Sequence, residues 1–178
     1  MARCVVLLRG INIGPSNRVS MAELRSLLAE TGFGDVRTHL QSGNILLSTE
    51  EGPDAVARRC EALIAERFGL DIRSVVRTHA ELDAVVRADP LADVVTDLRL
   101  YQVSFLEAAP DREVVPKLAV AAAPGERFVV AGREIYAWHP GGIARSRLAT
   151  LLAGRGLKIT ATARNWATVL ALLQMSGA

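Results

Sequence analysis

The sequence has 178 residues, which suits one large domain or two small ones. Half of them are hydrophobic but only 4% are aromatic, so a packed core has to be built from Ala, Val, Leu and Ile. A balance of 21 basic against 19 acidic residues leaves a net charge of +2, which is not in itself the signature of a nucleic-acid-binding domain.

The apolar run 4–8 is continuous, as expected of a strand buried in the middle of a sheet, and a loop rich in Gly and Asn follows it. Ser20 then predicts a helix start. Glu23 stands at the capping-box position, Val19 and Leu24 can form a hydrophobic staple, and Met21, Leu24, Leu27 and Leu28 make one apolar stripe. Gly32 supplies a left-handed end. Segments 36–41 and 45–48 read as a hairpin turning over Ser42-Gly43. Pro53 suits a first helical position, Val56, Cys60, Leu63 and Ile64 repeat at helical spacing up to Gly69, and 72–76 reads as a closing strand.

The second half repeats this order without visible sequence identity: a helix over 79–88, a strand over 98–106, helical potential over 111–120, a hairpin of 128–130 and 135–138, a helix over 146–153, a strand over 157–161 and a last helix over 166–175. Pro116 weakens the helix over 111–120, because it lacks a backbone donor. The predicted architecture is α+β: tandem ferredoxin-like (α/β-plait, βαββαβ) subdomains, 1–78 and 79–178, the second including a linking helix and a C-terminal helix.

Right-handed crossovers make strands one and two of such a unit parallel, with strand three running against them in between. In the first unit the loop 9–18, the hairpin turn and the first helix N-terminus then meet at one end of the sheet. That end gathers Arg9, Gly10, Asn12, Ser16, Asn17, Gln41, Ser42, Gly43 and Asn44 around backbone N–H groups, a setting for an anionic or polar ligand. The alternative is that Asn12 and Asn44 satisfy local backbone in turns. In the second unit the expected convergence is of 139–142, the helix start at Arg145 and Ser146, and Arg164, Asn165 and Trp166. Glu134 is the last acidic residue, so these lie in an acid-free segment that also holds Arg147, Arg155 and Lys158. A single site would need both ends to meet at interdomain loops.

Other chemistry is poorly supported. Gly10-Ile11-Asn12-Ile13-Gly14 is neither a P-loop nor a dinucleotide fingerprint. His39, His79 and His139 belong to different elements, so no metal site is indicated, and Gln41-Ser42-Gly43-Asn44 is no nucleophile elbow. Cys4 and Cys60 read as buried small hydrophobes of a reducing compartment. No signal-peptide pattern or membrane-length apolar run is visible, which makes the cytoplasm the expected location. Tyr101 with Phe105, and Tyr136 with Trp138, fall on one face of their strands, as either a stacking platform or a buried face.

Four stretches carry a resemblance: Leu7-Leu8-Arg9-Gly10-Ile11-Asn12-Ile13-Gly14, Met21-Ala22-Glu23-Leu24-Arg25, His39-Leu40-Gln41-Ser42-Gly43-Asn44, and Thr162-Ala163-Arg164-Asn165-Trp166-Ala167-Thr168-Val169. Together they resemble the bacterial family called domain of unknown function 1697. The resemblance implies two α/β-plait subdomains and no established activity. It places recurrent motif positions at Arg9, Gly10, Asn12, Gln41, Ser42, Gly43, Asn44, Arg164, Asn165 and Trp166. The chain departs from the family pattern with His39-Leu40 where Tyr-Ile is usual and Ala167 where Asn is usual.

The expected function is binding of a small anionic or polar molecule at interdomain loops, with no cofactor, catalytic residue or oligomeric state indicated. Two alternatives stay open: single-stranded nucleic-acid binding through the second subdomain, and an enzyme acting on a phosphorylated or nucleotide-like substrate with an Arg pair stabilising charge.

Overall fold

A computed structural model describes residues 1–178. The chain divides into two compact units, Met1–Asp83 with Leu172–Ala178, and Ala84–Ala171. Two helices, α3 (His79–Ala88) and α6 (Trp166–Gly177), have residues in both.

The first unit runs β1 (Ala2–Leu8), α1 (Met21–Glu30), β2 (Gly34–His39), β3 (Asn44–Thr49), α2 (Pro53–Phe68) and β4 (Ser74–Thr78). Its sheet has the order β2-β3-β1-β4, and every neighbouring pair is antiparallel. The middle position of β1 accounts for its unbroken apolar run, since residues 4–8 are all buried. Cys4, Val6 and Leu8 face Leu24 and Leu28 of α1 and Val56, Cys60 and Ile64 of α2 in one core. Burying each large aliphatic side chain here contributes about 1.5–3 kcal/mol. Burial also pushes the Cys60 thiol up to about 12 and raises that of Cys4, so both behave as inert apolar groups. On the other face, Arg3 and Arg37 donate to the carbonyls of Ser176 and Met175 in the last turns of α6.

Helix α1 starts as expected, with the Ser20 hydroxyl accepting from the Glu23 N–H, and α2 opens on Pro53 and closes on Gly69 in the left-handed conformation. Several strand limits differ from expectation, and two of them have a visible cause. β2 ends at His39 because Leu40 takes a left-handed φ of 58°, and the turn occupies four residues, 40–43. β4 begins at Ser74 rather than 72 because its partner β1 ends at Leu8, opposite Ser74.

The second unit runs β5 (Tyr101–Leu106), α4 (Val114–Ala121), β6 (Arg127–Ala131), β7 (Glu134–Trp138), α5 (Arg147–Leu152) and β8 (Ala161–Asn165). The sheet order is β6-β7-β5-β8, again antiparallel throughout. Leu106, Ile135, Ala137 and Ala161 pack with Leu118 of α4 and with Leu148 and Leu152 of α5. Pro116 is tolerated because it is the third residue of α4, in the first turn, where a backbone N–H has no intrahelical acceptor. β5 starts at Tyr101 instead of 98, since Leu100 N–H closes a turn onto the Asp97 carbonyl.

The strand expected over 157–161 lies instead at Ala161–Asn165. Leu157 and Ile159 do point at the core, which produced the strand-like alternation, but β5 offers ladder partners only from Gln102 to Leu106. Arg164 and Asn165 therefore belong to a strand and not to a loop. No helix is long and apolar enough to cross a membrane.

Candidate functional site

In the first unit the β1–α1 loop and the β2–β3 turn do come together. The Asn12 side-chain amide donates to the carbonyls of Gln41 at 2.7 Å and Val19 at 3.0 Å, and its oxygen accepts from the Val19 N–H at 3.0 Å. An amide nitrogen has two hydrogens, and both are used. Leu8 N–H donates to the Gly43 carbonyl at 2.8 Å, closing the same junction from the strand side. Gly43 cannot be replaced cheaply: its φ is +81°, and a Cβ there would stand 2.7 Å from the Leu8 Cβ and 3.0 Å from the Ile11 Cδ1.

Asn44 is fully buried and donates to the His39 carbonyl at 3.0 Å and the Ser42 hydroxyl at 3.1 Å. Asn17 donates to the Gly10 carbonyl at 3.1 Å. The three asparagines thus act on their own backbone, the alternative that turn chemistry allows. Around them Arg9 is half-buried, while Gly10, Ser16, Asn17, Gln41 and Ser42 are exposed.

The second unit handles its polar residues differently. His139 is fully buried, and its Nδ1 lies 2.6 Å from the Glu126 Oε1, which also accepts from the Ser146 hydroxyl at 2.6 Å. The second carboxylate oxygen accepts from the Ala123 N–H at 2.8 Å, and Ser146 caps α5 by accepting from the Ala149 N–H. Burial works to raise the Glu126 carboxyl, but the hydrogen bonds from His139, Ser146 and Ala123 outweigh it and hold the pKa below the ordinary range. This is not a catalytic triad, in which histidine stands between serine and acid. Here serine and histidine converge on one carboxylate oxygen.

Arg164 is buried on β8 and donates to the Thr162 hydroxyl and the Ala163 carbonyl, both at 2.8 Å. Burial lowers its pKa to about 10, so it stays charged at neutral pH. Asn165 caps α6 through the Thr168 N–H, and Trp166 stacks on Tyr101 with ring centroids 4.7 Å apart. Among Arg145, Ser146, Arg164, Asn165 and Trp166, only Arg145 is exposed outright.

Tyr101, Phe105, Tyr136 and Trp138 are all buried, with the Tyr136 hydroxyl donating to the Val85 carbonyl and the Tyr101 hydroxyl to Asp89. Their faces are closed to a stacked base, which removes the platform on which single-stranded nucleic-acid binding rested. No group of three or more His, Cys, Asp or Glu residues is arranged to hold a metal.

Two residues escaped the sequence reading. Glu126 gives no local sign of its role, since its partners lie 13 and 20 residues away. Arg77 is buried on β4 opposite Val5, as Arg164 is on β8 opposite Val103. Each arginine is followed by a cap, Thr78 accepting from the Glu81 N–H and Asn165 from the Thr168 N–H. The dipeptides Arg77-Thr78 and Arg164-Asn165, each just ahead of a helix, were the available signal.

Two antiparallel four-stranded sheets with the same element order, each tied at its turns by polar side chains, define an α+β protein. The chain belongs to the family described as Protein of unknown function (DUF1697), whose model matches residues 1–136. None of the curated proteins matches it. Among solved structures it is similar to the conserved bacterial protein SP0830 from Streptococcus pneumoniae, at 23% identity, with 98% of each chain covered and a TM-score of 0.79. That likeness concerns the fold.

Proposed function

We propose that the protein, built on two ferredoxin-like subdomains, is a binding module for a small anionic or polar molecule taken up at the loop end of the first sheet. Arg9, Gln41, Ser42 and the backbone around Gly10 are the contacts of this reading. The observation that carries it is the Asn12 latch: it fixes the loop and the turn against each other while consuming its own amide and the Gln41 carbonyl. Fixed loops lose little entropy on binding, which favours a small ligand. Gln41 is exposed and Arg9 half-buried, and the planar fork of Arg9 suits a carboxylate or phosphate. In the first unit, then, the asparagines serve as scaffold and the neighbouring polar groups as contacts.

Titration with inorganic phosphate, followed by amide NMR, tests this. Saturable shifts confined to residues 9–17 and 41–43, weakened roughly tenfold by Arg9→Ala, are expected. Absence of shifts there, or an unchanged affinity in Arg9→Ala, would refute it.

A further inference from the structure

The second unit contains a groove between the start of α4 and the segment that leads into β8. Its volume is about 190 Å³, with Val114, Leu157 and Ile159 among its walls. These three side chains are only partly buried and back onto the core of the unit. Along this groove 157–159 runs outside the ladder, which the chain joins only at Ala161. Its two sides are tied by Lys117, whose ammonium donates to the Gly156 carbonyl.

The charges at this groove are unusual for the chain. Lys117 and Lys158 are the only lysines among 21 basic residues, and both line it. Asp111 and Glu113 line it too, so the walls bring two positive and two negative side chains to one small apolar space. Asp111, Glu113 and Lys158 are exposed and form no ion pair within the chain.

We propose that this groove binds a free apolar α-amino acid as its zwitterion. The ligand carboxylate pairs with Lys158, its ammonium with Asp111 or Glu113, and its side chain covers Val114, Leu157 and Ile159. Charge complementarity selects this class. A phosphate or other polyanion would meet two carboxylates at the rim, and a simple cation two ammonium groups. Size points the same way, since 190 Å³ falls below the ~300–1,000 Å³ of sites for drug-sized ligands. The groove is independent of the loop end of the first unit, so either reading can fail alone.

The test is an NMR titration of the full chain with L-leucine, compared with 4-methylpentanoate, which lacks the ammonium, 3-methylbutylamine, which lacks the carboxylate, and glycine, which lacks the apolar arm. Leucine should give saturable shifts at residues 110–117 and 156–159, with each comparator at least about tenfold weaker. Lys158→Ala and Asp111→Asn, both at exposed positions, should each weaken leucine several-fold and leave the amide spectrum elsewhere unchanged. No saturable shift at these residues, equal binding of a comparator, or unchanged leucine affinity in both variants would overturn the proposal.

Discussion

The two units solve one problem, how to hold loops against the end of a four-stranded sheet, with opposite kinds of polar group. The first uses neutral amides, Asn12 and Asn44, each donating to nearby oxygen acceptors. The second uses an acid, Glu126, that collects His139, Ser146 and a backbone N–H. A neutral amide holds its hydrogen bonds at any pH near neutrality. A carboxylate accepts them strongly only while ionised, so the same architecture carries one acid-insensitive junction and one acid-sensitive junction.

This contrast can be broken at single residues. The largest loss is expected for Gly43→Ala, about 3–4 kcal/mol, because the added methyl meets Leu8 and Ile11 and the left-handed φ disfavours any side chain. Equilibrium urea unfolding would measure it, and a loss below about 1 kcal/mol would show that the turn can relax. Glu126→Ala should cost about 3 kcal/mol in the same assay, since it leaves His139 and Ser146 without their buried acceptor. Asn12→Ala should cost about 2 kcal/mol, because one of its partners, Gln41, is exposed and its carbonyl can turn to water. Loss of phosphate shifts in Asn12→Ala at a temperature where it remains folded would join the latch to the proposed site.

Much of this was legible in the sequence where one element carries its own boundary. The Ser20 cap, the Pro53 start and the Gly69 end all act within a few residues of where they stand, and they were read correctly. Long-range pairing was harder. Leu157 and Ile159 alternate as a strand would, yet whether they join a ladder depends on where β5 stops, some fifty residues earlier in the chain.

The candidate site shows the same division. Topology correctly placed the loop 9–18 beside the hairpin turn, because chain direction alone decides which ends meet. Which polar residue would be scaffold and which contact was not decided by it. Asn12 looks the same in sequence whether its amide faces a ligand or the Gln41 carbonyl 29 residues on. Arg164 and Asn165, by contrast, read as loop residues only because β8 was placed four residues too early.

The contrast between the junctions is tested most directly by the acid limb of stability. Glu126 has a folded pKa below its ordinary value, so its contribution is complete above the unfolded carboxyl pKa of about 4.3 and is lost as pH falls through the folded value. Urea midpoints of the native protein, Glu126→Gln and Asn12→Ala, measured from pH 7 down to pH 3, separate the two junctions. Glu126→Gln should be less stable at pH 7 but lose less on acidification, closing on the native protein at the acid end, whereas Asn12→Ala should run parallel to the native curve. A Glu126→Gln curve parallel to the native one, or an Asn12→Ala curve that converges on it, would contradict the account.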